Sequence, residues 1–358
     1  MKLFIFSLLA VTLLATVSLA GCFTQSGFQS TAPTAASAVK TWNLNYAHEN
    51  TPSEYFTLYG HVPFAQDIEK VTDGKVKITF HGEQTLIKSS QIWDGVKSGK
   101  VDMGWMFTGY YPGQFSLIEV SALPFLYPNA TVGGKSTWQL FSKYPQIQSQ
   151  FKDVKILAIW TTEPYFIGAR SKFYRKAEDF QGQKIRAGNG PQADFVKALG
   201  GNPVMVGMPE VYLNLQNGSL DAALLPAEAY AGRKIFEVAP YATYVSTAAV
   251  VNAIIMNLDL WNSFPKDIQD QITSVSGEKA SVRFSSQVFD KSYQDMKGNI
   301  EAFGGKIQEY SLPQDELQIW INKAGKPVWN SWVQAQTAAG LTGAQQILDD
   351  AIALSKRK

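Results

Sequence analysis

Cysteine occurs once, as Cys22, and histidine three times, as His48, His61 and His81. A single cysteine excludes an intrachain disulfide, a zinc site built on cysteines and a CxxC redox centre. The histidines form no HExxH and no close pair, so no metal site is expected. GxSxG is absent as well, which removes the nucleophile elbow of an acyl-transfer enzyme. Charge is sparse and balanced, with 32 Lys plus Arg against 30 Asp plus Glu and no five-residue run of cations, so a nucleic-acid partner is not expected. What is abundant is apolar: 45% hydrophobic residues beside 17% charged ones belong to a folded chain, and 358 residues suffice for two cores.

The first 22 residues read MKLFIFSLLAVTLLATVSLAGC. Lys2 precedes an apolar stretch from Leu3 to Ala20, whose length suits either a signal peptide or a membrane anchor. Leu19-Ala20-Gly21-Cys22 resembles the bacterial lipobox, in which cleavage before the cysteine leaves a thiol for lipidation. The expectation is a lipoprotein signal peptide over residues 1–21, and Cys22 holding the protein on a membrane surface outside the cytoplasm, where ATP and NAD are scarce. Residues 22–40, rich in Ser, Thr, Ala and Gln without apolar period, read as a flexible tether reaching on the order of 25 Å.

The chain echoes itself. Gln91-Ile-Trp-Asp-Gly-Val-Lys-Ser-Gly99-Lys-Val-Asp102-Met matches Glu210-Val-Tyr-Leu-Asn-Leu-Gln-Asn-Gly218-Ser-Leu-Asp221-Ala at a constant offset of 119 residues. Each copy reads as a short amphipathic helix, a glycine cap and a strand opening. Upstream of the first lie a strand at 42–47, a helix at 52–71 and a strand at 75–80; upstream of the second, a strand at 183–187, a helix at 191–199 and a strand at 203–206. Two βαβαβ halves predict an α/β protein of two domains, each a sheet flanked by helices, with a ligand cleft at the strand ends. Residues 265–303 carry a helical apolar pattern; at 1.5 Å per residue this is about 58 Å, long enough to run along both domains with a bend near Gly277. A shorter helix within one domain is the alternative. The grouping expected is 41–162 plus 247–285 as the first domain, and 163–246 plus 286–358 as the second.

Two motifs imitate nucleotide sites. Gly188-Asn-Gly190-Pro-Gln-Ala193 fits GxGxxA between a strand and a helix, yet it lies mid-chain in an exported protein. Its backbone N–H groups at a helix start would still suit a carboxylate. Asn129-Ala-Thr-Val-Gly-Gly134-Lys135-Ser136 imitates a P-loop with Asn129 in place of the first glycine, and reads instead as a loop leading to a helix at 138–141.

The strand ends bring forward Tyr46 to His48, Glu83, Trp105 to Thr108, Arg186 to Asn189 and Leu224 to Glu228. Arg186 is the one cation among them, and its guanidinium can take a carboxylate through two parallel hydrogen bonds. The plainer alternative is a surface arginine paired with a neighbouring acid.

Glu178-Asp-Phe-Gln-Gly-Gln-Lys-Ile-Arg186, Ala198-Leu-Gly-Gly-Asn-Pro203, Met208-Pro-Glu-Val-Tyr212 and Gly218-Ser-Leu-Asp-Ala222, with weaker support from Leu123-Pro-Phe125 and Leu258-Asp-Leu-Trp261, resemble the DctP-type extracytoplasmic solute receptors of tripartite ATP-independent periplasmic (TRAP) transporters. The resemblance spans about residues 41–330. It implies a periplasmic-binding-protein-like fold of two domains with a helix spanning both, closing on an organic acid whose carboxylate is gripped by Arg186. It implies no catalysis and no cofactor, with separate membrane subunits driving cation-coupled uptake. Where family members carry Asn, an aromatic and a further arginine, this sequence has Leu225, Met208 and Phe166; Arg170 lies four residues late and takes no role. With Trp105 and Phe107 these residues predict a pocket apolar beyond one carboxylate, and hence a monocarboxylate with an apolar or aromatic body. Asn189, Glu228 and His48 complete the expected site. Ordinary core packing is the alternative for the apolar five. A lipid-anchored receptor of an ATP-driven (ABC) importer or a sensory domain has the same build, and an exported enzyme ranks behind both.

Overall fold

The structure, a computed structural model, describes residues 40–356. The lipobox with Cys22, and the tether up to residue 39, lie outside the described residues. Eleven strands are described: β1 (Trp42–Ala47), β2 (Val76–His81), β3 (Met103–Phe107), β4 (Val154–Thr161), β5 (Phe166–Ala169), β6 (Lys184–Arg186), β7 (Asn202–Val204), β8 (Ala222–Leu225), β9 (Tyr241–Tyr244), β10 (Val251–Asn257) and β11 (Gln308–Ser311). They form two sheets, ordered β2-β1-β3-β10-β4 and β11-β9-β5-β8-β6-β7. β3, β8 and β10 bury every residue, as strands covered on both faces must.

Each sheet contains a parallel unit, β2-β1-β3 in the first and β7-β6-β8 in the second, with an antiparallel strand beside it, β10 or β5. The sequence echo is therefore structural. Gly99 and Gly218 take φ of +74° and +82°, the left-handed conformation in which glycine ends a helix. Asp102 Oδ2 accepts the backbone N–H of Asn45 at 2.7 Å, and Asp221 Oδ2 that of Lys184 at 2.8 Å. Each aspartate pins the neighbouring parallel strand in register.

The chain passes between the lobes at residues 162–165 and again at 245–250. A third passage is helical, and differs from its expected form. Ser276 leaves the helical region (φ −99°, ψ −165°) and Gly277 takes φ +71°, so the helix Lys266–Val275 ends there. The continuous run is Gly277–Ala302, about 39 Å, and spans both lobes. Its middle, Phe284–Asp290, widens to π geometry against a second π turn, Phe56–His61. That second turn precedes Pro63, whose missing N–H cannot close an ordinary α turn, so the expected helix 52–71 becomes a wide turn followed by Val62–Val71.

The helix expected at 138–141 runs over Ala130–Lys143, capped by Asn129, whose side chain accepts from Val132 N at 2.9 Å. Gly133 and Gly134 lie inside it, where a Cβ would come within 2.1 Å of Thr161 Oγ1 and 1.9 Å of Ser285 Oγ. These glycines let the helix press on β4 and on the spanning helix; they cradle no phosphate. The C-terminal helices Lys326–Ala338 and Ala344–Ser355 place Val328, Trp332, Ile347 and Leu348 in one core with Ile159 and Val251 of the first sheet. Trp320 packs on Phe180, whereas beyond it the Trp329 and Trp332 indoles donate to Pro124 O and Ser116 O, each at 2.8 Å. Among the described residues no helix is long and apolar enough to cross a membrane.

Candidate functional site

The carboxyl ends of the parallel strands face one another across the lobes, the position where α/β sheets bind ligands. β1 leads into Glu49 and Asn50, β3 carries Trp105 and Phe107, β6 ends at Arg186, and β8 leads into Pro226 and Glu228. These residues enclose a narrow chamber of about 20 Å³, nearly filled by their own side chains. Asn252 on β10 stands opposite Phe107 in antiparallel register and shares its inward face. Phe56, Tyr110, Tyr165 and Phe289 complete an aromatic wall, and Met208, Thr162 and Val250 the remainder.

Arg186 decides the electrostatics. It is 1% exposed, and its hydrogen bonds are two long ones: Nε to Val206 O at 3.4 Å and Nη1 to Leu224 O at 3.3 Å. Among the described residues no carboxylate lies within 4.0 Å of it. A cation removed from water without an anionic partner is costly, so an anion entering the chamber would recover that cost.

Acids surround the chamber but are engaged or neutralised elsewhere. Glu49 accepts the Tyr110 hydroxyl at 3.0 and 2.9 Å on its two oxygens. Burial, and then the neighbouring Glu54, push the Glu228 carboxyl well above the usual range. Glu163, whose Oε1 accepts Ala227 N at 2.8 Å, is pushed up to about 8 by burial. Behind the chamber runs a buried polar chain. Tyr46 Oη lies 2.8 Å from His61 Nδ1, and His61 Nε2 lies 3.2 Å from Asn50 Oδ1. Asn50 Nδ2 donates to Glu54 Oε2 at 2.7 Å, and Glu54 Oε1 meets Arg233 Nε of the other lobe at 2.9 Å. Burial, with His81 as a lesser cause, lowers His48 to about 4, and burial with His48 nearby lowers His61 further below its ordinary value. Among the described residues no group of three or more His, Cys, Asp or Glu is placed to hold a metal ion.

A family model, DctP, bacterial extracellular solute-binding protein family 7, matches residues 46–336. The chain belongs to that family. Its relatives include a solute-binding protein of Albidiferax ferrireducens, 22% identical over 75% of this chain and 79% of its own length. The C4-dicarboxylate-binding periplasmic protein DctP of Rhodobacter capsulatus is 23% identical over 73% and 78%. Among solved structures, a TRAP solute-binding protein of Rhodoferax ferrireducens with copurified benzoate superposes with a TM-score of 0.81 at 25% identity, covering 88% of this chain and 98% of that one. One from Bordetella bronchiseptica with bound (R)- and (S)-mandelate gives 0.81 at 26%, covering 88% and 99%. This DctP-family chain is a TRAP extracytoplasmic solute receptor with the two-domain fold of those proteins, and its family is one of transport receptors rather than enzymes.

Of the residues expected in the receptor's site, Arg186, Trp105, Phe107, Met208 and Glu228 line the chamber. Phe166 does not: it packs edge-on against Tyr230 at 5.1 Å and borders an outer groove with Tyr244 and Tyr293. Leu225, paired with Phe166 across β8 and β5, lies in the second-lobe core. Asn189 donates Nδ2 to Gly109 O at 2.8 Å, tying the lobes together beside the chamber. His48 stands behind the wall, its ring 4.5 Å from that of His61 and tilted at 38°, its Nδ1 accepting Asn50 N at 3.2 Å.

Two further expectations are corrected. The wall is not apolar beyond one carboxylate, because Glu49, Asn50, Thr162, Glu228 and Asn252 are part of it. The helix start at Gly190 offers no anion site: Gly188 N is taken by Gln192 Oε1 at 2.8 Å, and the Glu119 carboxylate already abuts Gly190, where a Cβ would sit 2.6 Å from Oε2. Sequence reasoning missed Glu49, Asn50, Tyr110, Tyr165, Asn252 and Arg233. Glu49 and Asn50 directly follow the strand already singled out, and Asn252 is a lone polar residue in an apolar strand, so signals for these existed. Arg233 had none.

Proposed function

We propose that this receptor captures a monocarboxylate with an aromatic body and hands it to TRAP membrane subunits for cation-coupled uptake. The observation that carries the reading is Arg186, buried with no acidic partner at the wall of an aromatic chamber. The chamber of about 20 Å³ widens as the lobes part to admit the ligand; the Arg186 fork then receives the carboxylate, while Trp105, Phe107 and Met208 hold the ring. The benzoate and mandelate in the two similar structures support the same ligand class. The lobes form two domains that close about the passages at 162–165 and 245–250, and ligand favours closure by the contacts it makes only there. Asn189 and the His48–Asn50 backing then set the geometry of the closed form. At its N-terminus the chain is cleaved before Cys22 and lipid-anchored through that thiol.

Titration calorimetry with benzoate, mandelate and succinate tests the reading. Binding of the first two, lost in Arg186→Ala, supports it; a preference for succinate, or binding indifferent to Arg186→Ala, refutes it. For the anchor, mass spectrometry of the mature N-terminus should find diacylated Cys22, and Cys22→Ser should release the protein from membranes.

A further inference from the structure

Three polar atoms of residues on the chamber wall have no partner among the described residues: the indole Nε1–H of Trp105, Nδ2 of Asn252 and Oε2 of Glu228. Their side chains are 6%, 1% and 6% exposed, so water is not their partner by default. An orphaned buried donor or acceptor is costly, and folded proteins keep such groups unpaired at few places. Here the three belong to residues lining one chamber, beside Arg186, whose guanidinium has two long hydrogen bonds and no carboxylate partner among the described residues. Two are donors and the third is a carboxyl oxygen, brought from both lobes: Trp105 and Asn252 from the first sheet, Glu228 from the segment after β8.

We infer that Trp105, Asn252 and Glu228 form a second polar subsite that reads a hydroxyl group on the ligand, so that the receptor selects hydroxylated aromatic monocarboxylates over their unsubstituted counterparts. The inference rests on the aromatic-monocarboxylate reading above and names its substrate class more narrowly. A hydroxyl oxygen accepts from the indole and amide N–H groups while its proton goes to the Glu228 oxygen. Other substituents fit less well. A second carboxylate would enter beside Glu49 and Glu228 with no further cation on the wall, and an ammonium group would leave the two N–H donors unanswered. A site with polar groups built for a hydroxyl discriminates strongly against the analogue lacking it, because the wall atoms are then stranded.

Calorimetry on the purified chain should compare 3- and 4-hydroxybenzoate with benzoate, and mandelate with phenylacetate. At least one hydroxylated member is expected to bind about tenfold or more tightly than its partner. That ratio should fall to about twofold in Trp105→Phe and in Glu228→Leu, while Leu213→Ala, at an exposed residue outside the chamber, leaves it intact. Two independent wall variants guard against one failing to fold, and thermal melts identify such a failure. Equal affinity within both pairs, or a hydroxyl preference that survives both wall variants, overturns the subsite yet leaves the aromatic-acid reading standing. If none of the acids binds, the parent reading falls and the subsite with it.

Discussion

Arg233 Nε stands 2.9 Å from Glu54 Oε1, joining the helix after β8 to the loop after β1, with the two side chains 11% and 0% exposed. The same arginine donates Nη2 to the backbone oxygen of Glu49 at 3.0 Å, beside the chamber. The pair is thus a contact between the two lobes, placed next to the chamber wall.

Removing one partner leaves a buried charge alone. Arg233→Met is expected to cost about 3 to 5 kcal/mol of closed-state stability, while Arg233→Met with Glu54→Leu recovers most of it. Thermal melts with and without ligand measure both, and a single variant as stable as wild type would contradict the latch.

Substituting Arg186 tests charge and geometry separately. Arg186→Ala should weaken carboxylate binding by about 2 to 5 kcal/mol. Arg186→Lys keeps the charge but loses the planar fork, and is expected to restore only part of the affinity. Full restoration by lysine would show that charge alone holds the ligand.

Stability should depend on pH with opposing slopes. Glu163 is raised by burial to about 8, so between about 4.5 and 8 the folded state holds a proton that the unfolded chain has released, and stability falls as pH rises through that window. Glu163→Gln, which keeps an acceptor for Ala227 N, should remove this slope. His48, lowered to about 4, acts on the acid side: below about 6.5 the unfolded chain gains a proton that the fold refuses, so stability falls as pH drops toward 4. Denaturant midpoints of wild type, Glu163→Gln and His48→Gln across pH 4 to 8 check both slopes; parallel curves would contradict them.

Glycines in helices divide by their neighbours. Gly134→Ala drives a methyl into Ser285 and is expected to destabilise by about 1 to 3 kcal/mol. Gly298→Ala meets nothing within 4 Å and should stabilise by about 0.5 to 1 kcal/mol through lower chain entropy. Melting temperatures moving in the same direction would remove the packing account of the Gly133-Gly134 pair.

Local pattern carried much of this molecule. The 119-residue echo followed from helix period, capping glycine and strand opening, all features of a few consecutive residues, and strand β1 was legible to its last residue for the same reason. Arg186 was legible because a strand end before a Gly-Asn-Gly turn marks a cleft whichever partner lies across it. Packing decided the rest. Whether Phe166 and Leu225 faced the chamber depended on strand register, and a slip of one residue exchanges the two faces of a sheet. The break at Ser276, the π turn before Pro63 and the return of the C-terminal helices to the first lobe depended on shapes contributed by distant segments. The meeting of Arg233 with Glu54, and of Trp105 with Glu228 and Asn252 around one chamber, joins residues more than a hundred positions apart. No local preference encodes such neighbours; they exist only once two sheets have folded and faced each other.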